Sequence, residues 1–299
     1  MFDISDINHP SFVLSDFLEY RSLVGRPDPV SISSLRAAMA APDDELSIGE
    51  DEEGDDNVIN KLADALNGCA SRRTLFGDNY PFSIGENTVS LNSPLNTKWY
   101  IYIFLLLSNR LNMNKENIQG GKDATKLFEK LCQLVAKAYF GANSKCEVFG
   151  TSVAGSFKDK VEDILRKLYI SGGYKTTLGC TGSQKDGGID IIAWIPFGDT
   201  KDSQLIALGQ CKTGSNWEGY LRKAPFFDNY SNCQPFVGPV YMFYVSEYFD
   251  EYKWEERSRL GGILFDRYRI MSCIPDDIDE TAVDLVSDIK IWVNAALDV

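Results

Sequence analysis

Histidine is nearly absent, with His9 the only one among 299 residues. That scarcity removes Ser-His-Asp and Cys-His catalysis unless a residue near the N-terminus takes part. The seven cysteines, at positions 69, 132, 146, 180, 211, 233 and 273, include no CxxC pair. With a single histidine, a zinc site of the usual Cys/His type is not expected. A scattered, odd set of cysteines behind an N-terminus without a basic and apolar leader reads as reduced thiols in a cytoplasmic protein. Long apolar runs are lacking too. The most apolar, WYIYIFLLL from Trp99 to Leu107, is about half a membrane span; it reads as a buried helix continued through Met113. Positive charge is also scarce, since 30 Lys and Arg face 43 Asp and Glu for a net charge of -13. That balance argues against a protein coating nucleic acid through a basic surface. Carboxylates, lysines and hydroxyls are left to carry any chemistry.

What is present describes a globular chain of one large or two ordinary domains, 44% hydrophobic. Residues 1–115 read as a helix-rich region suited to partner binding, opened by SFVLSDFLEYRSLVG with Ser11 as cap. It holds 17 acidic and 9 basic side chains, so the remainder is less acidic and leaves room for a local basic groove. The block DDELSIGEDEEGDD, 43–56, reads as an exposed acidic loop. NVINKLADALNGC has helical spacing and is expected to stop at Gly68. A Gly-Gly break at 120–121 marks the start of a second domain, 116–299. Its first helix carries Leu127, Leu131, Leu134 and Val135 on one face and closes at Gly141. A second helix, capped by Ser156, buries Val161, Ile164 and Leu165. Strands are expected at PVYMFYVS (239–246) and GILFDRYRIMS (262–272), and an amphipathic helix ends the chain. This order gives an α/β layer architecture.

One segment stands apart: SQKDGGIDIIAWIPFGDTKDSQLIALGQCKTG, Ser183 to Gly214. It reads as two apolar strands joined by a polar turn, with Asp190, Ile192 and Trp194 on one face of the first. On the return strand Ile206, Leu208, Gln210 and Lys212 share a face. An antiparallel hairpin sets Asp190 beside Gln210 and Lys212. A carboxylate and an amide oxygen are hard ligands suited to Mg²⁺, and a neighbouring lysine can orient water and stabilise charge on a phosphate. The Cys211 backbone oxygen is a further candidate ligand. Gly187 and Gly188 permit a tight turn or a close backbone approach. The plain alternative is an ordinary hairpin. Trp217 and Glu218 after it read as strand cap and packing, with DNA contact as the other reading, and Arg267 and Arg269 as either phosphate contacts or internal ion pairs.

The spacing Asp-x₁₉-Gln-x-Lys, with DGGID before it and GQCKTG at its end, resembles the active site of the PD-(D/E)XK restriction-endonuclease-like superfamily, nearest its Mrr-like branch. The resemblance covers roughly 120–272 and implies a restriction-endonuclease-like core, a mixed sheet flanked by helices. Residue by residue, it makes Asp190 the metal-binding aspartate, places Gln210 at the acid position and makes Lys212 the catalytic lysine. A glutamate from a preceding helix completes such sites; Glu162 in KVEDIL is expected here, with Glu129 in LFEKL as rival. Asp186 and Gly188 take supporting roles. The resemblance further implies Mg²⁺ or Mn²⁺ as cofactor, DNA as substrate, and a place in prokaryotic antiphage defence. The acidic charge gives such a protein weak DNA affinity of its own, so a partner such as a DNA-sensing ATPase or helicase is expected to deliver the substrate. An RNase on the same fold and a non-catalytic interaction subunit are the alternatives.

Overall fold

A computed structural model describes residues 9–25, 29–31, 33, 52–149, 155–176, 187–249 and 254–297, with side chains from Val58 onward in the helix beginning at Glu52. Helix α1 (Ser11–Val24) begins at Ser11 with Pro10 in the cap position, so the serine is not the cap. Strand β1 is Val30–Ser31. Residues 43–51 of the acidic block lie outside the described residues. Glu52–Asp56 are the first turns of helix α2 (Glu52–Phe76) rather than loop, because acidic residues at a helix N-terminus complement its dipole. Helix α2 also runs through Gly68, where a stop was expected. A Cβ there would collide with Ser15 Oγ of α1, whose hydroxyl donates to the Ala65 carbonyl at 2.9 Å. Gly68 lets the two helices approach closely rather than ending one of them.

Strands β2 (Phe82–Ile84) and β3 (Thr88–Leu91) complete a small antiparallel sheet with β1. The apolar run forms helix α3 (Thr97–Arg110), capped by the Asn96 side chain, which accepts from Trp99 N at 2.9 Å. Ile101 to Leu107 are at most 1% exposed, and the helix ends three residues short of Met113. The Gly-Gly pair forms the turn of a minute hairpin, β4 (Ile118–Gln119) with β5 (Lys122–Asp123). Gly120 packs against Ile291 and Ala295 near the C-terminus.

Helix α4 (Ala124–Phe140) starts at the Asp123 cap and closes at Gly141, as expected. Strand β6 (Lys145–Val148) follows, then α5 (Phe157–Lys167), capped by Ser156. The hairpin forms as β7 (Ile191–Ile195) and β8 (Leu205–Lys212). After α6 (Phe226–Tyr230) come β9 (Val240–Val245), α7 (Trp254–Gly261) and β10 (Ile263–Phe265). The rest of the expected last strand is helical: Asp266 accepts from Arg269 N at 2.9 Å and caps α8 (Arg267–Ser272). A capping aspartate turns an otherwise strand-like aromatic segment. Helices α9 (Ile278–Thr281) and α10 (Val283–Leu297) end the fold.

The central sheet has the order β10-β9-β8-β7-β6. Strands β6, β7 and β8 are antiparallel; β9 and β10 run parallel to β8. Ile191, Ala193, Ala207 and Cys211 join the core that contains α4. Ile192, Trp194, Ile206 and Leu208 face a second core with Val161, Ile164 and Leu165 of α5. Helices on both faces explain why these strands are apolar throughout. The protein is α/β, with a five-stranded mixed sheet. The core on the α4 side includes buried residues from both sides of 115/116, among them Val13 and Val293. No helix among the described residues is long and apolar enough to cross a membrane.

Candidate active site at the end of the central hairpin

Asp190 sits where β7 begins, and the sheet grips it at three points. Its amide donates to Gly209 O at 2.9 Å and its carbonyl accepts from Phe149 N at 2.7 Å. Its carboxylate accepts from Cys211 N at 2.7 Å. The side chain therefore takes an amide that a backbone carbonyl of the neighbouring strand would accept in a regular ladder. Simple alternation fails at this point: Ile189 joins the same core as Ile192 and Trp194, rather than that of Ile191. The strand starts one residue later than strict alternation supposes, and Asp190 is pinned beside the Gln210–Lys212 segment.

Ile191 pairs with Gly209, whose carbonyl also takes the Asp190 amide, and the Asp190 carboxylate reaches past Gln210 to Cys211 N. Gln210 and Asp190 are nearly sealed from water, at 5% and 7% exposed. Gln210 Oε1 is buried and has no hydrogen-bond partner among the described residues. Lys212, two residues on, is partly exposed at the strand end, its ammonium 5.2 Å from the centre of the Tyr220 ring. The Cys211 carbonyl lies between these two side chains in the chain, while the Cys211 amide is committed to Asp190. Gly188 adopts φ +78, and a Cβ there would face Ala224 and Arg222. Asp186 lies outside the described residues.

Of the two candidate helix glutamates, the buried one is on α4. Glu129 is 9% exposed on α4, one turn before Cys132. Burial raises the thiols of Cys132 and Cys211, and the charges of both Asp190 and Glu129 push them further. The two carboxylates thus act on one pair of sulfur atoms. Glu162, the expected residue, is instead 48% exposed on α5, with its carboxylate 3.7 Å from the Lys158 ammonium. Val161, Ile164 and Leu165 turn inward and leave Glu162 facing out.

Comparison with protein-family models, curated proteins and solved structures finds no match.

The donors fit a hard divalent cation in kind: two buried carboxylates, a backbone carbonyl and a buried amide oxygen without a partner among the described residues. Gln210, however, shares the sheet face of Leu208 and Phe243, while Glu129 and the Cys211 side chain lie on the other. The set is lean, because Gln210 stands where a third carboxylate would add charge. Among the described residues no group of three or more His, Cys, Asp and Glu side chains is placed to hold a metal.

Sequence reasoning missed the charged cluster that braces this end of the sheet. Asp16 of α1, fully buried, accepts from Arg72 at 2.7 Å, Arg110 at 2.7 Å, and Arg267 at 2.9 and 3.1 Å. Glu19 accepts from Arg72 at 2.7 Å and from the hydroxyls of Tyr80 at 2.8 Å and Tyr102 at 3.0 Å. Arg110 also donates to Glu247 at 2.8 Å, which accepts from Trp217 Nε1 at 2.5 Å. Trp217 is core, and Arg267 is an internal ion pair, so neither is free for phosphate. Arg269 stacks on Trp254, with 4.3 Å between its guanidinium and the ring centre. Glu218 pairs with Arg257. Two acids spaced i, i+3 inside the apolar stripe of α1 were the available signal of a buried ionic cluster.

Proposed function

We propose that this chain is a Mg²⁺- or Mn²⁺-dependent endonuclease that hydrolyses DNA phosphodiester bonds, built on a restriction-endonuclease-like core of the Mrr-like kind. The observation that carries the proposal is the buried Gln210 Oε1, without a partner among the described residues, next in the chain to Cys211, whose amide holds the Asp190 carboxylate. A buried acceptor left without a donor costs about 1–3 kcal/mol, and a cation is the partner its chemistry fits. Asp190, Gln210, Glu129 and the Cys211 carbonyl would hold the ion, with Gly188 allowing a close approach. When bound, the ion supplies Lewis-acid stabilisation of charge on a phosphate oxygen. The chain's own residues do the rest. The Cys211 amide fixes the Asp190 carboxylate, so that it needs little reorganisation. Lys212 offers a positive charge to the phosphate and a donor that orients the attacking water. The net charge of -13 gives weak electrostatic attraction to DNA. Delivery by a partner, such as a DNA-sensing ATPase or helicase, and a role in antiphage defence follow as parts of the same proposal. Tight DNA binding by the lone chain at physiological salt overturns the delivery part.

A second reading, a non-catalytic subunit that keeps the fold, is favoured by the lean donor set. Titration with Mn²⁺ separates the two. Gln210→Glu adds the missing carboxylate and is expected to tighten Mn²⁺ binding about tenfold, roughly 1.4 kcal/mol. No binding by either protein favours the non-catalytic reading.

A further inference from the structure

A cavity of about 700 Å³ opens one residue beyond Lys212. Thr213 to Asn216 form one wall, Leu111 to Asn114 another, and Phe12 and Tyr220 contribute rings. Its charged lining groups are engaged with each other. Arg110 is held by Glu247 and Asp16, and Arg257 pairs with Glu218. An anionic ligand would have to break these pairs. The other groups presented to an occupant are the His9 imidazole, the carboxamides of Asn112, Asn114 and Asn216, the Thr213 hydroxyl, and the rings of Phe12 and Tyr220, the latter with the Lys212 ammonium 5.2 Å from its centre. Carboxamides beside aromatic faces are the chemistry that reads and stacks a nucleobase. The volume falls in the range of sites that enclose small ligands.

We infer that this cavity receives an unpaired nucleobase of the DNA strand, next to the scissile phosphate. The inference rests on the nuclease reading, because the cavity's place relative to Lys212 sets which nucleotide enters it. A base stacked and paired in a duplex does not reach such a pocket; an unpaired one does. A chain of net charge -13 gains less from phosphates, and base contacts supply the affinity instead. The substrate class is therefore single-stranded DNA, or DNA unpaired at the cut.

The test uses the full chain and a 20-nucleotide DNA carrying 2-aminopurine, as a single strand and annealed to its complement. Binding is read by anisotropy and by 2-aminopurine fluorescence, and cleavage is read in parallel. Asn114 and Asn216 are exposed, so the double variant Asn114→Ala/Asn216→Ala keeps its core, which circular dichroism checks. The expected result is single-strand affinity at least about tenfold above duplex affinity, falling about tenfold in the double variant. Equal affinity for both DNAs, or no change in the double variant, overturns the inference. Asp190→Ala separates the two claims. If it abolishes cleavage while the double variant binds normally, the pocket falls and the metal site stands. If Asp190→Ala still cleaves while the double variant loses single-strand binding, the metal site falls and the pocket stands.

Discussion

Replacing Asp16 by asparagine removes one charge from the best-sealed part of the molecule. Asp16, Glu19 and Glu247 balance Arg72, Arg110 and Arg267, and all six side chains are at most 8% exposed. The change leaves an excess positive charge where water does not reach. It also points an amide N–H at guanidinium donors. Breaking one partner of a buried pair costs about 3–5 kcal/mol, and that is the expected loss at pH 7. Urea unfolding followed by tryptophan fluorescence and by circular dichroism measures it. Both probes are expected to report one transition, because the cluster and the continuous core tie α1 and α2 to α8. A loss below about 1 kcal/mol refutes the buried network's energetic role, and two separate transitions refute its joining of the two halves. The pH dependence provides an internal check. Burial raises the Asp16 carboxyl, but Arg267, Arg110 and Arg72 outweigh it and hold it far below its ordinary value of 3.8. A depressed folded value contributes stability that is full above the ordinary value and is lost as pH falls below it. Wild-type stability should therefore decline from about pH 4 downward, and the decline should be shallower in Asp16→Asn.

Glu129→Gln is expected to weaken Mn²⁺ binding and cleavage about 10–100-fold, whereas Glu162→Gln leaves both unchanged; the reverse order restores α5 as the source of the glutamate. Gly68→Ala is expected to cost about 1–3 kcal/mol through overpacking against Ser15. Adding Ser15→Ala should recover part of that loss in thermal melts, and strict additivity of the two changes refutes the contact.

The hairpin was legible because strands covered by helices on both faces read as continuous apolar runs, and the polar residues at their ends then stand out. The conformation of Asp190 was not legible, since alternation assumes a regular ladder and its side chain replaces a ladder acceptor. The preference for Glu162 over Glu129 rested on chain proximity, which carries no information on burial. Lys158, Glu162 and Arg166 share an outward helical face at i, i+4 spacing. Glu129 lies inside the stripe of Cys132 and Ala136, as an acid among buried apolar residues. Gly68 was read as a stop because sequence alone does not distinguish a helix end from a helix crossing. The acids of α1 carried the same signal as Glu129 and, followed through, would have located the buried ionic cluster.

The central claim meets its most direct test in supercoiled plasmid incubated with the full chain and Mg²⁺ or Mn²⁺, beside Asp190→Ala and Lys212→Ala. The account predicts nicking or cutting by the wild type and loss of that activity in both variants. Cleavage that persists unchanged in both contradicts it.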